Sequence, residues 1–378
     1  MKYDLLIKGG EISDPGQNLR GKMDLAIAGG KIASMERDIP KEAAREVIDA
    51  SKKLVTPGLI DLHTHIFWGM SRGALEPDPI AARSGVTTMV DAGTVGYTNC
   101  HGFRRYLVEA SQCRVYGFIN GTSPGIGSVN TGPEALGWAR QNIGAIAKII
   151  EENRDIILGV KAFAAWNMTR ENAFDYLRVA RAIGNEAQCP IMVHIGFGPP
   201  HLHDIVNLLR EGDIITHAFH GQSNRIVDRD GRIDPAILKA RERGILLDIG
   251  HGAGSFSFEV AEPLISQGFY PDCISTDLHG GCVNGPTYDL PTTLTKFLYL
   301  GMSLEEVIER ATARPAAIIG GPEGMGSLKV GGVADVAILE LEEGDFELVD
   351  CHRQKVMAKE RLVSALTICR GKLMKRAE

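Results

Sequence analysis

The chain has 378 residues and a formal net charge of −6, so it lacks the basic footprint that a nucleic-acid partner requires. No apolar run approaches the roughly 18 residues needed to span a bilayer, and "MKYDLLIKGGEISD" at the N-terminus has no signal-peptide cleavage site. The seven cysteines form no CxxC pair, so reduced thiols, a cytoplasmic location and no membrane partner are expected.

In chain order, the first fifty residues predict short strands in "YDLLIKGGEIS", "MDLAIAGGKIASM" and "REVIDASKKLV", with Gly-Gly at two turns. The pattern then changes. Eight apolar runs follow: "LVTPGLIDLHTH", "VTTMVDAG", "CRVYGFING", "IILGVKAF", "PIMVHIG", "DIITHAF", "ILLDIG" and "CISTDLH". Between them lie amphipathic stretches with helical spacing, such as "PEALGWARQNIGAIAKIIEEN" and "ENAFDYLRVARAIGNEAQ". A further helix is expected in "SLEEVIERATARPAAIIG", near 303–320. The last fifty residues return to β-prone runs: "VADVAILEL", "FELVDC" and "RLVSALTICRGKLM".

Alternating β-runs and helices predict an α/β fold, a (β/α)8 TIM barrel over 55–327. A doubly wound open sheet would read similarly. Neither chain end alone offers enough strands for a stable unit, so 1–54 and 328–378 are expected to build one small β-sandwich domain together.

In such a barrel, chemistry sits at the C-terminal strand ends. His63 and His65 close the first strand, Lys161 the fourth, His194 the fifth, His217 the sixth and Asp277 the eighth. Residues i and i+2 of a strand share a face, so His63 and His65 can serve one ion. Any one of these residues alone reads as an ordinary polar residue closing a strand. Six at matching ends read as a metal centre. Histidine and carboxylate suit zinc, manganese or cobalt. A buried ammonium is costly unless its charge is removed, and a neutral lysine can add carbon dioxide to become N6-carboxylysine. Carbamylated Lys161 would then bridge two divalent ions, one held by His63, His65 and Asp277, the other by His194 and His217. About one positive charge remains after the carbamate, Asp277 and a bridging hydroxide are counted, which suits metal-assisted hydrolysis.

The set resembles the binuclear branch of the amidohydrolase superfamily, in "TPGLIDLHTH", the six candidate ligands and "GSLKVGGVADVAIL". The resemblance implies a hydroxide attacking a metal-polarised carbonyl, with Asp277 taking the proton and handing it to the leaving group. Mononuclear deaminases of the superfamily usually carry Glu three residues after the strand-five histidine, whereas "IGFGPP" follows His194. Dihydroorotases usually follow HxH with an arginine, whereas Ile66 and Phe67 stand here.

The stretches "HAFHGQSN", "DIGHGAGSF" and "STDLHGG" are similar to a dihydroorotase-like group that includes deacetylases. The implied substrate is a small acetylated acid: an N-acetyl-D-amino acid or an acetylated 2-hydroxy acid. Cyclic-amide hydrolysis, as by hydantoinase or dihydroorotase, is the alternative, and a non-catalytic scaffold is a third reading. Such barrels often associate, so a homo-oligomer is compatible with the resemblance.

His220, His251, Ser255 and His279 are the candidate substrate contacts. Tyr97, Asn120 and Trp166 follow strands and could shape the pocket, although a structural role suits them better. His101, His201, His203 and His352 lack strand-end positions, and "PHLHD" at 200–204 is expected to begin a helix.

Overall fold

The run from Leu54 to Thr64, read above as one barrel strand, divides between two sheets. In the computed structural model, which describes residues 1–121, 125–126 and 133–376, β1 to β5 span Tyr3–Asp14, Leu19–Ala28, Lys31–Glu36, Ala44–Asp49 and Leu54–Pro57. Strand β6, Leu59–Thr64, opens the barrel. Gly58 is the joint. A Cβ there would stand 2.2 Å from Thr87 Oγ1, so only glycine lets the chain pass from one sheet to the other.

The parallel sheet continues through β7 (Val86–Gly96), β8 (Arg114–Asn120), β9 (Ile157–Phe163), β10 (Ile191–His194), β11 (Ile214–Thr216) and β12 (Leu246–Leu247), each paired with its predecessor. The expected eighth strand, "CISTDLH", is not a continuous strand. It spans the gap between β12 and β6 by parallel bridges, Asp248 to Cys273 and Thr64 to Leu278. Asp277 N donates to His63 O at 2.7 Å and His65 N to Leu278 O at 3.0 Å. Regular pairing fails because Asp277 has left-handed backbone, φ 50°. The TIM-barrel expectation thus holds with an irregular closing segment.

Ile60, Leu62, Val90, Phe118, Met192 and Ile214 pack as one apolar cluster that includes Ala316 and Ile319 of the helix Ala313–Ile319. Apolar helix faces, including Ile146, Leu177, Ile205 and Leu264, join the larger core outside the sheet. The long amphipathic stretch after β8 divides into helices Pro133–Gln141 and Ile143–Glu152, parted at Asn142, whose side chain donates to Trp138 O at 2.8 Å.

The second sheet takes β1–β5 together with β13 (Val336–Val349), β14 (Lys355–Cys369) and β15 (Lys372–Leu373). Its order is β15-β14-β13-β5-β1-β2-β3, with β4 on β1. Both chain ends build it, as expected. Leu5 and Ile7 enter one apolar cluster and Leu6 another, the alternation a strand imposes.

One ion pair secures the parallel sheet at the N-terminal ends of β10 and β11. Asp213, ahead of β11, accepts from Ile191 N and Arg210 N at 2.8 Å each and from the Arg181 guanidinium at 2.5 Å. Both side chains are buried. Asp213→Ala strands that guanidinium and should destabilise the fold by about 3–5 kcal/mol in denaturant titrations. A loss below about 1 kcal/mol would show the pair behaving like a surface one.

Candidate metal centre

The strand ends bring all six candidate ligands to one place. His63 Nε2 lies 3.4 Å and His65 Nε2 3.1 Å from Asp277 Oδ1. Ligand atoms of His63, His217 and Asp277 lie within 4.8 Å of one another. Lys161 Nζ reaches His63 Nε2 at 2.9 Å, and the His194 ring stands edge-on to His217 at 4.1 Å. His63, Lys161 and His217 are shut off from solvent.

Outer partners fix these rings. Thr216 Oγ1 donates to Asp248 Oδ2 at 2.7 Å, so it accepts from His63 Nδ1 at 2.7 Å. His217 Nδ1 donates to Gly250 O at 2.7 Å. Both rings therefore turn an unprotonated Nε2 to the centre. His65 Nδ1 pairs with Thr94 Oγ1 at 2.9 Å. Asp91 accepts from the backbone of Ile66 and Val95, and Asp61 from Thr276 N and Oγ1, which anchors the turns beside His65 and Asp277.

Burial sets the protonation states. It holds His63, His194 and His217 well below the usual imidazole range, with Lys161 adding to the effect. The Lys161 amine is lowered by burial to about 8, against the pull of Asp277, Asp248 and Asp91. Desolvation raises Asp61 to about 7 and Asp248 to about 6. Neutral imidazoles, an easily neutralised amine and a carboxylate form a donor set that fits divalent ions.

Two glycines make room for it. A Cβ on Gly250 would stand 2.5 Å from Thr216 Oγ1, and one on Gly252 would stand 2.2 Å from Asp277 Oδ2. His217, φ 64°, joins Asp277 in left-handed backbone, a conformation that non-glycine residues hold mainly at functional sites.

A cavity of about 350 Å³ opens over the centre, lined by His65, His194 and Asp277. Of the four candidate substrate contacts, Ser255 and His279 line it. His220 and His251 do not. His251 is fully buried, stacked on Phe256 at 4.8 Å, with Lys296 Nζ 2.6 Å from its Nε2. His220 is equally buried, and its Nδ1 accepts from Gln222 N at 3.0 Å. A histidine in a glycine-rich loop thus marks an internal partner as readily as a pocket.

Tyr97 stacks on Trp138, and Asn120 donates to Gly93 O at 3.4 Å. Trp166 lies under Arg170 at the surface. His101, His201, His203 and His352 are exposed, and His201 precedes the helix Leu202–Leu208.

Sequence reasoning missed Thr216, Asp248 and Thr94 around the centre, and Asn167 and Gln222 in the cavity wall. The signal for Asp248 was present: an acid inside the apolar "ILLDIG" is as costly as Lys161. Among the described residues, none that lines the cavity is Arg or Lys.

Residues 54–374 match the amidohydrolase family model. A deacetylase of Agrobacterium fabrum is 37% identical over 86% of this chain and 80% of its own length. A deacetylase of Enterococcus faecalis is 34% identical over 99% of both chains. A crystal structure described as an adenine deaminase superposes with a TM-score of 0.89 and 35% identity, covering 98% of this chain and 99% of that one. One described as a dihydroorotase gives 0.88 and 32%, covering 99% and 98%. Among the described residues, no helix is long and apolar enough to cross a membrane. The chain belongs to the amidohydrolase family and is a hydrolase acting on amide bonds.

Proposed function

We propose that this hydrolase is a deacetylase that releases acetate from a small acid, either an N-acetyl-D-amino acid or an acetylated 2-hydroxy acid. The observation that carries the proposal is the convergence of His63, His65, Lys161, His194, His217 and Asp277 beneath a cavity of about 350 Å³, in a chain whose relatives include deacetylases. In this reading His63, His65 and Asp277 would hold one divalent ion, His194 and His217 would hold a second, and Lys161, once carbamylated, would serve both, with zinc the expected metal. Such ions supply Lewis acidity toward the acetyl carbonyl and lower the pKa of water.

The chain's own residues do the rest. Asp277 reaches the cavity and takes the proton of the attacking water, then returns it to the leaving nitrogen or oxygen. Buried imidazoles cannot compete for that proton, because burial disfavours their charged form. Ser255 and His279 face the acid portion. Among the described residues the wall carries no guanidinium, and Ser255 and His279 are the donors this reading assigns to the acid.

Cyclic-amide hydrolysis is the second reading, favoured by the full-length likeness to the dihydroorotase structure. Phe197 stands where mononuclear deaminases of the superfamily usually carry Glu, which argues against a deaminase of that kind. The test is a panel of N-acetyl-D- and N-acetyl-L-amino acids, acetylated 2-hydroxy acids, hydantoins, dihydroorotate and adenine, offered to zinc-loaded protein. Acetate release with one handedness preferred is expected. Ring opening or deamination in its place would overturn the proposal.

Carbamylation brings a pH dependence. The amine adds carbon dioxide only when neutral, forming an N–C bond and releasing one proton. With Lys161 lowered to about 8, the neutral fraction grows as pH rises through that value. At a fixed concentration of dissolved carbon dioxide, zinc should therefore reactivate stripped protein faster at about pH 8.5 than at about pH 6.5. Equal rates at both would remove the carbamate from the reading.

A further inference from the structure

Three parts of the chain meet at a lysine that the proposed chemistry does not use. Lys296, on the helix Leu290–Tyr299, is completely buried. Its ammonium donates to Pro286 O at 2.9 Å, to Val349 O at the end of β13 at 2.8 Å, and to His251 Nε2 at 2.6 Å. Three donors meet three acceptors. Because His251 Nε2 accepts, its Nδ1 carries the proton, 3.1 Å from Thr287 Oγ1 and 3.0 Å from Gly252 O. The Thr287 hydroxyl then donates to Gly252 O at 2.7 Å. Gly252 N donates to Thr276 O at 2.8 Å, and Gly252 Cα packs directly against the Asp277 carboxylate.

We infer that Thr287, backed by His251 and Lys296, is a positioning residue that presses Gly252 against Asp277 and so fixes the carboxylate for metal and proton alike. The links from Lys296 through His251 and Thr287 to Gly252 are buried hydrogen bonds, so a link lost there is not replaced by water. The chain also explains the burial of His251. It orders the loop behind the carboxylate and does not meet the substrate. This inference rests on the reading of Asp277 as a ligand.

The test compares two substitutions at one position. Thr287→Val keeps the volume and loses the hydroxyl; Thr287→Ser keeps the hydroxyl and loses the methyl. Zinc affinity, measured by chelator competition on the full chain, should weaken about tenfold in Thr287→Val and hold at the parent level in Thr287→Ser. With any substrate the parent turns over, kcat should follow the same order while KM stays level. Parent-like zinc binding in Thr287→Val, or equal weakening in both variants, would reduce Thr287 to packing and overturn the inference. A parent that binds zinc but hydrolyses nothing in the panel would sink the deacetylase reading alone. A parent that binds no zinc would sink the metal reading, and this inference with it.

Discussion

Lys161→Ala should leave a folded barrel that has lost its metal and its activity together. The side chain is fully enclosed in β9, and its Nζ stands 2.9 Å from His63 Nε2. As a bridge it would serve both ions, so its removal strips a donor from each. Loss of even an outer-shell partner costs roughly 10–100-fold in metal affinity, and loss of a shared donor should reach at least the upper end. Zinc content by elemental analysis and acetate release should fall in parallel. Unchanged metal and rate would sink the bridging model.

Asp277→Asn should lower turnover by removing the group that takes the proton of the attacking water. Asparagine matches the shape and tolerates the φ of 50°, so the backbone need not move. An amide accepts no proton at working pH, and removal of a general base typically costs about 10²–10⁴-fold in kcat. Substrate affinity should change far less, since Ser255 and His279 remain in the wall. Steady-state kinetics separate the two effects. A kcat within about tenfold of the parent would assign the proton to another group.

The barrel and its six polar strand ends were legible because the rules that expose them are local: an apolar run, a period, and a costly residue at its end. His63, Lys161 and Asp277 stand out in that way. What was not legible depends on where one strand lies against another. Thr216 reads as an ordinary residue in "IITH" until the fold sets it between His63 and Asp248. His251 looked like a pocket residue because its partner, Lys296, lies forty-five residues on in another element. The closing segment read as a strand because its apolar content is strand-like. Its broken pairing comes from the turned backbone at Asp277, which composition does not reveal. Likewise, "LVTPGLIDLHTH" carried one hydrophobic signal across two sheets, since apolarity says that a strand is buried and not in which sheet.

The joint at Gly58 has a consequence for how this chain can vary. Five positions beyond it comes His63, on a ribbon whose lower half, Leu54–Pro57, is pinned between β1 and β13. The ribbon therefore has no slack. A side chain exchanged within it alters packing in one place, but a residue added or lost between Pro57 and His63 turns the following side chains to the opposite face. Variation along this stretch should thus proceed by replacement, with changes in length confined to the loops beyond His65.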